Sequence, residues 1–381
     1  MPPQQFAPAA GLLIESGRRS LSDATGTPVR ASPPDWDALP DAAERHGMTA
    51  WAHLAVRDRD DAPPHVRAAL ETRARAQHVR SLHAVSQLSV VMGLLRQGGV
   101  DPVALKGPLF SSWLYGGLGM RRFADLDLLV EPHQRLRAFE TLAAAGYSLR
   151  GGMSLATARA VYAGTGAWPL THPDGVPIDL HWRAQALGFA APLTPREVLH
   201  GSTTASAAGG DMKIPCATHA ATLALLHAAK HLWSALELVL SIAHLTRRTD
   251  VDWERVYGFA SRAGAWKACA AGLVVARDLF GGGVPAAIHD RVRPERVRHI
   301  ADMALTFLAM PDVAGAPLRA EFSVHCASLD SVAGRARYAA WRLLAPTPLE
   351  SAWWPLPDRL APLYAPVRLI RLAIRHRGDG K

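Results

Sequence analysis

Asp125 and Asp127 stand at alternate positions in the run Asp125-Leu126-Asp127-Leu128-Leu129-Val130. Alternate side chains of a strand share a face, so both carboxylates point one way while Leu126 and Leu128 point the other. Like charges that close repel unless a cation lies between them. A divalent metal held by oxygen ligands, the kind that binds Mg²⁺ and nucleotide phosphates, satisfies both groups. An edge strand carrying two solvated Asp is the plainer alternative. Upstream, Val103-Ala104-Leu105 reads as a short strand running into Lys106-Gly107-Pro108. A glycine there lets backbone N–H groups approach a phosphate, and Lys106 adds a point charge. Lys106 is one of only five lysines beside thirty-seven arginines. Arg121 and Arg122 lie a few residues before the carboxylates, within reach of a metal-held triphosphate. Downstream, Pro177 to Trp182 alternates again: Ile178, Leu180 and Trp182 face one way, Asp179 and His181 the other. A third carboxylate on a neighbouring strand completes a two-metal cluster.

Other elements must bring these segments together. Trp168 to His172 reads as a strand that turns through Pro173-Asp174-Gly175 into the strand of Asp179, a good hairpin signal. Between the two Asp strands, Glu131-Pro132 opens a helix closed by Gly146, and Tyr147-Ser148-Leu149 restarts a strand. A helical segment follows at 155–162. Ahead of the first strand, a helix over 64–97 carries Val79, Leu82, Val85, Leu88, Met92 and Leu95 along one stripe and stops at Gly98-Gly99. His78 and His83 on it read as surface or cap residues. Residues 35–56 also have a helical rhythm. Residues 184–218 read as loop-rich, with a helix start at Thr194-Pro195-Arg196-Glu197. His219 to Leu245 is almost unbroken in helix formers, and His227, Lys230 and His231 share one face of it at i, i+3 and i+4. A zinc-binding histidine pair there lacks a further ligand of suitable spacing. Polar spots on a packed helix account for the same residues. Segments 253–280 and 294–310 continue as amphipathic helices, and Gly281 to Pro285 is a turn rather than a phosphate loop, because no strand precedes it. The tail, 355–381, contains Arg368, Arg371, Arg375 and Arg377. It suits either a terminal helix packing its Leu and Ile on the body, or contact with an acidic membrane surface or anionic partner.

Composition sets wider bounds. The chain has 381 residues, 49% hydrophobic and 20% charged, which describes a globular protein with a large core and two or three domains. No apolar run reaches the ~18–20 residues of a membrane span, and the first residues lack the pattern of a secretory signal. Cys216, Cys269 and Cys326 fit neither a disulfide framework nor a zinc motif and point to a reducing cytoplasm. The net charge of +9 favours anionic partners. Without a basic block interleaved with aromatics, nucleic acid is a poor candidate among them.

Taken together, Leu105-Lys106-Gly107, Tyr115, Arg121, the strand 125–130, Ile178 to Arg183 and His227 to Trp233 resemble the bacterial family of uncharacterised nucleotidyltransferases, within the DNA polymerase β-like nucleotidyltransferase superfamily. The likeness runs in order over about residues 60–280. It implies an α/β (α+β) nucleotidyltransferase core with a small mixed sheet, at 99–213 here; the composition and helical rhythm outside it add a helical cap at 34–98 behind a flexible 1–33, and an all-helical domain at 214–381. It further implies metal ligands at Asp125, Asp127 and Asp179, and phosphate contacts at Lys106, Gly107, Arg121 and Lys230. Tyr115, His181, His227 and His231 then line the cleft. Where relatives carry Trp-Leu-x-Asp-Ile-Ala, Ser241 stands in place of the Asp. The activity implied is metal-dependent transfer of a nucleoside monophosphate from an NTP, ATP by expectation, with Mg²⁺ or Mn²⁺ and release of pyrophosphate. Asp179, nearest the acceptor, assists deprotonation. A sugar, a natural-product metabolite, a peptide or a protein side chain all fit as acceptor. A catalytically silent nucleotide-binding scaffold and an RNA 3′-end nucleotidyltransferase are the alternatives.

Overall fold

The computed structural model describes residues 6–21, 35–185, 188–207, 210–281, 283–310 and 318–378. Strands β1 (Val103–Ala104), β2 (Leu126–Leu129), β3 (Ser148–Leu149), β4 (Ala167–Thr171) and β5 (Ile178–His181) form one sheet in the order β1-β2-β5-β4-β3. β2 and β5 run parallel and the other pairs antiparallel, so the sheet is small and mixed, as expected. The predicted hairpin is present, and it lays β5 against β2 with Asp127 opposite Asp179 and Leu129 opposite His181. Leu126, Leu128, Ile178 and Leu180 are buried on the other face, against Trp168 and one end of a long helix.

The helices preceding that sheet core are α1 (Pro8–Leu21), α2 (Leu39–Arg45), α3 (Thr49–Val56) and α4 (Pro64–Gln97). α1 lies within the stretch 1–33 that was expected to be flexible, and residues 1–5 and 22–33 of that stretch lie outside the described residues. Its Leu12, Leu13 and Ile14 are buried together with Ala9 and Ala10, a wider apolar face than the short patch suggested. That face packs on helices from the second half of the chain. α4 spans two cores. Val66 and Leu70 join the helical cluster, while Val85, Leu88, Met92 and Leu95 join the sheet cluster. Between them Val79 and Leu82 are exposed, contrary to the predicted stripe, and Gln77 and Ser81 are buried instead. The buried face rotates there because the helix changes partners.

Within and after the sheet come α5 (Pro108–Tyr115), α6 (Arg135–Ala144), α7 (Leu155–Val161) and α8 (Pro195–His200). α8 is started by a reciprocal Thr194–Glu197 capping box. β6 (Ser202–Ala207) and β7 (Gly210–Pro215) form a separate hairpin where a loop was expected. Its residues are mostly small and polar; Met212 and Ile214 join the sheet core, and Ala205 and Ala207 pack against it.

The run of helix formers after residue 217 divides into α9 (Ala217–Lys230) and α10 (Leu236–Thr246). The break falls at Leu232 and Trp233, which adopt left-handed φ of 57° and 50°. Trp233 N–H donates to the Ala228 carbonyl at 2.8 Å and Leu232 N–H to Ala229 at 3.0 Å, closing the helix as a Schellman turn does. Both side chains are buried, which holds this costly conformation in place. There follow α11 (Trp253–Arg262), α12 (Trp266–Phe280), α13 (Pro294–Ala309), α14 (Leu318–Ser328), α15 (Val332–Leu344), α16 (Pro348–Trp353) and α17 (Tyr364–Gly378). α17 reverses the expected packing. Arg368 and Arg371 turn inward onto the buried Glu350, while Leu369, Ile370 and Ile374 are exposed. The side chains of Arg375 and Arg377 lie outside the described ones. None of the described helices is long and apolar enough to cross a membrane, and the three cysteines are free.

Candidate active site

The sheet face opposite the apolar core carries Asp127, Asp179 and His181. Their strand register brings one ligand atom from each within 4.8 Å of the others. Lys106 Nζ lies 3.0 Å from Asp127 Oδ1, and His181 Nε2 lies 2.9 Å from the same oxygen. Asp179 Oδ1 is buried and has no hydrogen-bond partner. Burial opposes ionisation of Asp127, but Lys106 and then His181 outweigh it and hold the carboxyl well below the usual carboxylate range.

Asp125 falls differently. It precedes β2, is half-buried, and stays outside that three-residue group. Burial, then repulsion from Asp127 and Asp179, raises its pKa against the pull of Lys106 and His181. The sequence paired Asp125 with Asp127 by alternation alone. The register of β2 against β5 instead selects Asp127, Asp179 and His181, a residue the sequence assigned only to the cleft wall.

Lys106 is separated by Leu105 alone from β1, whose pairing continues through Leu105 N–H to the Asp127 carbonyl at 2.9 Å. Gly107 then has φ +84°, which a side chain tolerates poorly, and a Cβ there would meet nothing within 4 Å. It caps α5. The loop beyond α5 is fastened by Ser111 Oγ donating to the Gly117 carbonyl at 2.6 Å and accepting from Arg121 N–H at 3.2 Å. Gln77 also donates to the Gly119 carbonyl at 2.6 Å.

Arg121 is thereby fixed in the cleft wall, and its guanidinium is already engaged. Its Nε lies 3.0 Å from Glu237 Oε1, which also accepts from the Tyr115 hydroxyl at 3.0 Å. Burial works against the Arg121 cation, and Glu237 more than restores it. Burial and Glu237 together raise the Tyr115 pKa well above normal. Glu237 escaped the sequence reading because it sits among apolar residues one turn before Ser241. That spacing on a helix puts both on one face. Ser241 lines the cleft and donates to the Leu238 carbonyl at 2.8 Å, so the nearby buried carboxylate belongs to Glu237 rather than to residue 241. Arg122 points to Glu44 instead, 3.9 Å away, and does not line the cleft.

A cleft of about 360 Å³ separates the sheet from α9 and α10 and is lined by Lys106, Arg121, Asp179, His181, His227 and Lys230 among others. Lys230 is solvent-accessible but enclosed by the cleft walls. Burial and then Lys106 lower its pKa, while Asp127 and Asp179 pull the other way. His227 is held neutral by burial and by Lys106, and burial and Lys230 lower the His231 pKa to about 4. The two rings lie 4.5 Å apart. Among the described residues they join no third ligand, which leaves the zinc arrangement without support. The end of α9 is anchored from behind, where His325 Nε2 meets the Lys230 carbonyl at 3.1 Å and Nδ1 the Tyr338 hydroxyl at 2.6 Å.

A family model described as uncharacterised nucleotidyltransferase matches residues 32–281, more than half of the chain. The chain belongs to that family. Every residue of the cluster and its facing lysines falls inside the match, whereas α13 to α17 lie beyond it. No curated protein and no solved structure matches the chain. Membership in a nucleotidyltransferase family makes the protein a transferase with an NTP substrate, and such enzymes typically use a divalent metal. The donor set suits one: two carboxylates and an imidazole converge, and a buried carboxylate oxygen waits without a partner.

Proposed function

We propose that this protein transfers a nucleoside monophosphate from an NTP, ATP by expectation, to a small acceptor and releases pyrophosphate. The observation that carries the reading is the unpartnered Asp179 oxygen beside Asp127 and His181, facing Lys106 and Lys230 across one cleft. Asp127, Asp179 and His181 would hold Mg²⁺ or Mn²⁺, with Asp125 adding negative charge beside them. A cation there supplies charge neutralisation at the α-phosphate and the leaving group, and acidifies an acceptor hydroxyl.

The chain's own residues perform the rest. Lys106 and Lys230 bind phosphate oxygens as point charges, and Gly107 lets the backbone approach them. Lys106, which lies 3.0 Å from Asp127 Oδ1, would be free to turn to a phosphate oxygen once a cation neutralised that carboxylate. Glu237 holds Arg121 by Nε, leaving the outer edge of the guanidinium to face the nucleotide. Asp179 orients the acceptor hydroxyl and takes up its proton. His227, neutral in the cleft wall, adds no charge to compete for metal or phosphate.

The test follows α-³²P- and γ-³²P-labelled NTPs incubated with the protein, Mg²⁺ and a small-molecule cell extract. Label from the α position should move to an extract component while pyrophosphate appears, and Asp179→Asn should abolish both. Tight Mg-NTP binding with no transfer across many extracts would instead favour a silent nucleotide-binding protein, the reading to which Ser241 lends its one observation. Transfer of the γ label would overturn the proposal.

A further inference from the structure

The sheet order lays out the cleft. Lys106 follows β1, Asp127 lies on β2, Asp179 on β5, Pro169 on β4, and Arg150 follows β3. The sheet runs β1-β2-β5-β4-β3, and Lys106, Asp179, Pro169 and Arg150 all line the same cleft. The cleft therefore crosses the strands from Lys106 at one end to Arg150 at the other, with the carboxylates between. Lys106, Arg121 and Lys230 gather at the first end, where a triphosphate belongs. Two strand spacings, roughly 10 Å, separate Asp179 from the second end, room for a small molecule.

That second end has a distinct chemistry. Arg150 makes no hydrogen bond or ion pair to a described residue. The half-buried Tyr162 stands near enough for its hydroxyl to feel both Arg150 and Asp179. Thr165 spends its hydroxyl proton on the Tyr162 carbonyl at 3.0 Å and keeps its oxygen as an acceptor. Pro348, the first residue of α16, closes the wall. α16 and the turn Asp358–Leu363 are packed on α7, and Ser154 before α7 hydrogen-bonds to Asp358. Part of this end is thus built by chain beyond the family match. A lone arginine lining a cleft next to polar acceptors suits an anion.

We infer that the Arg150 end is the acceptor subsite and that it selects a small anionic acceptor, with a hydroxyl at Asp179 and a carboxylate or phosphate at Arg150. Calling the anion an acceptor rests on the nucleotidyl-transfer reading above. Glycerol 3-phosphate, glycerate and neutral glycerol serve as probes, titrated by calorimetry into the full chain with and without Mg²⁺ and the inert donor α,β-methylene-ATP. At least one anionic probe should bind wild type, and the arm that binds separates phosphate from carboxylate. Arg150→Gln should weaken that probe about ten- to hundredfold, the loss expected for charge-assisted hydrogen bonds. Its affinity for the Mg-nucleotide should not change, whereas Lys106→Ala should show the reverse pattern. Equal binding of glycerol, absent or unaltered binding of both anions, or loss of nucleotide affinity in Arg150→Gln would each overturn the inference. Should wild type ignore the Mg-nucleotide while the anions still depend on Arg150, the nucleotidyl-transfer reading falls and an anion site remains.

Discussion

Asp125 and Asp127, two residues apart, meet opposite surroundings. Asp127 is flanked by the Lys106 ammonium and the His181 ring, whereas Asp125 faces two other carboxylates from a half-buried position. Asp127→Asn should therefore lower the melting temperature of the metal-free protein, since it removes the counter-charge of Lys106, a cost on the order of 1–3 kcal/mol. Asp125→Asn should hold or raise it. An acid whose pKa is raised by folding destabilises the folded state once ionised, so this gain should be full at neutral pH and vanish below the ordinary carboxylate range. Calorimetry of both variants at pH 7 and pH 3.5 checks the pair, and equal shifts would refute the asymmetry. Strand alternation made the carboxylates legible in the sequence. It left open which of them would meet Asp179, because that depends on how two strands separated by fifty residues align. Glu237 was hidden for a similar reason: its partners Tyr115 and Arg121 are more than a hundred residues away.

Among the elements, α9 carries the link between the sheet and the helices. The turn at Leu232 and Trp233 ends it at Lys230 and sends α10 back past the cleft, so Lys230 lines the cavity from one helix while Glu237 on the other holds the cavity's Arg121. Neither Leu nor Trp signals a turn, and the sequence accordingly reads as one unbroken helix. Only burial of both side chains stabilises the left-handed backbone, and burial is a tertiary fact. The hairpins illustrate both outcomes. The β4–β5 hairpin was legible from Asp174-Gly175 between alternating apolar runs, whereas β6–β7 offered small residues with almost no apolar alternation. If Lys230 meets the phosphates, Mg-ATP should raise the melting temperature of wild type more than that of Lys230→Ala. Lys267→Ala, on α12 and outside the cleft lining, should respond as wild type does. Equal stabilisation of all three proteins by Mg-ATP would remove Lys230 from the nucleotide site.

The whole molecule holds several histidines in places hostile to charge. Burial lowers the pKa values of His46 and His244 to about 4, aided by nearby cations. Unfolded, each titrates near 6.5, so folding favours their neutral forms. Their contribution to stability is full above about pH 6.5 and is lost as the pH falls toward 4. Thermal melts should show the midpoint dropping over that range, and His46→Asn should flatten the slope. A slope unchanged in that variant would mean that His46 keeps an ordinary pKa. The helix-rich layout was legible from composition and rhythm. That the helices before and after the sheet share a single hydrophobic cluster was not, because nothing in a helix's own periodicity names its distant partner.

α4 has a consequence for how this chain comes apart. Its 34 residues, a rod of about 51 Å, set Val66 and Leu70 in one core and Leu88 to Leu95 in the other. No proline interrupts it beyond its first residue, and Gly93 is its one glycine; a helix propagates or frays along its length far more readily than it nucleates afresh. Loosening either core would expose half of a rod whose other half is still gripped. A chain this long has material for two independently melting units. The shared helix should tie their fates into one cooperative transition, read as a single calorimetric peak, with the cleft between them open or lost as a whole.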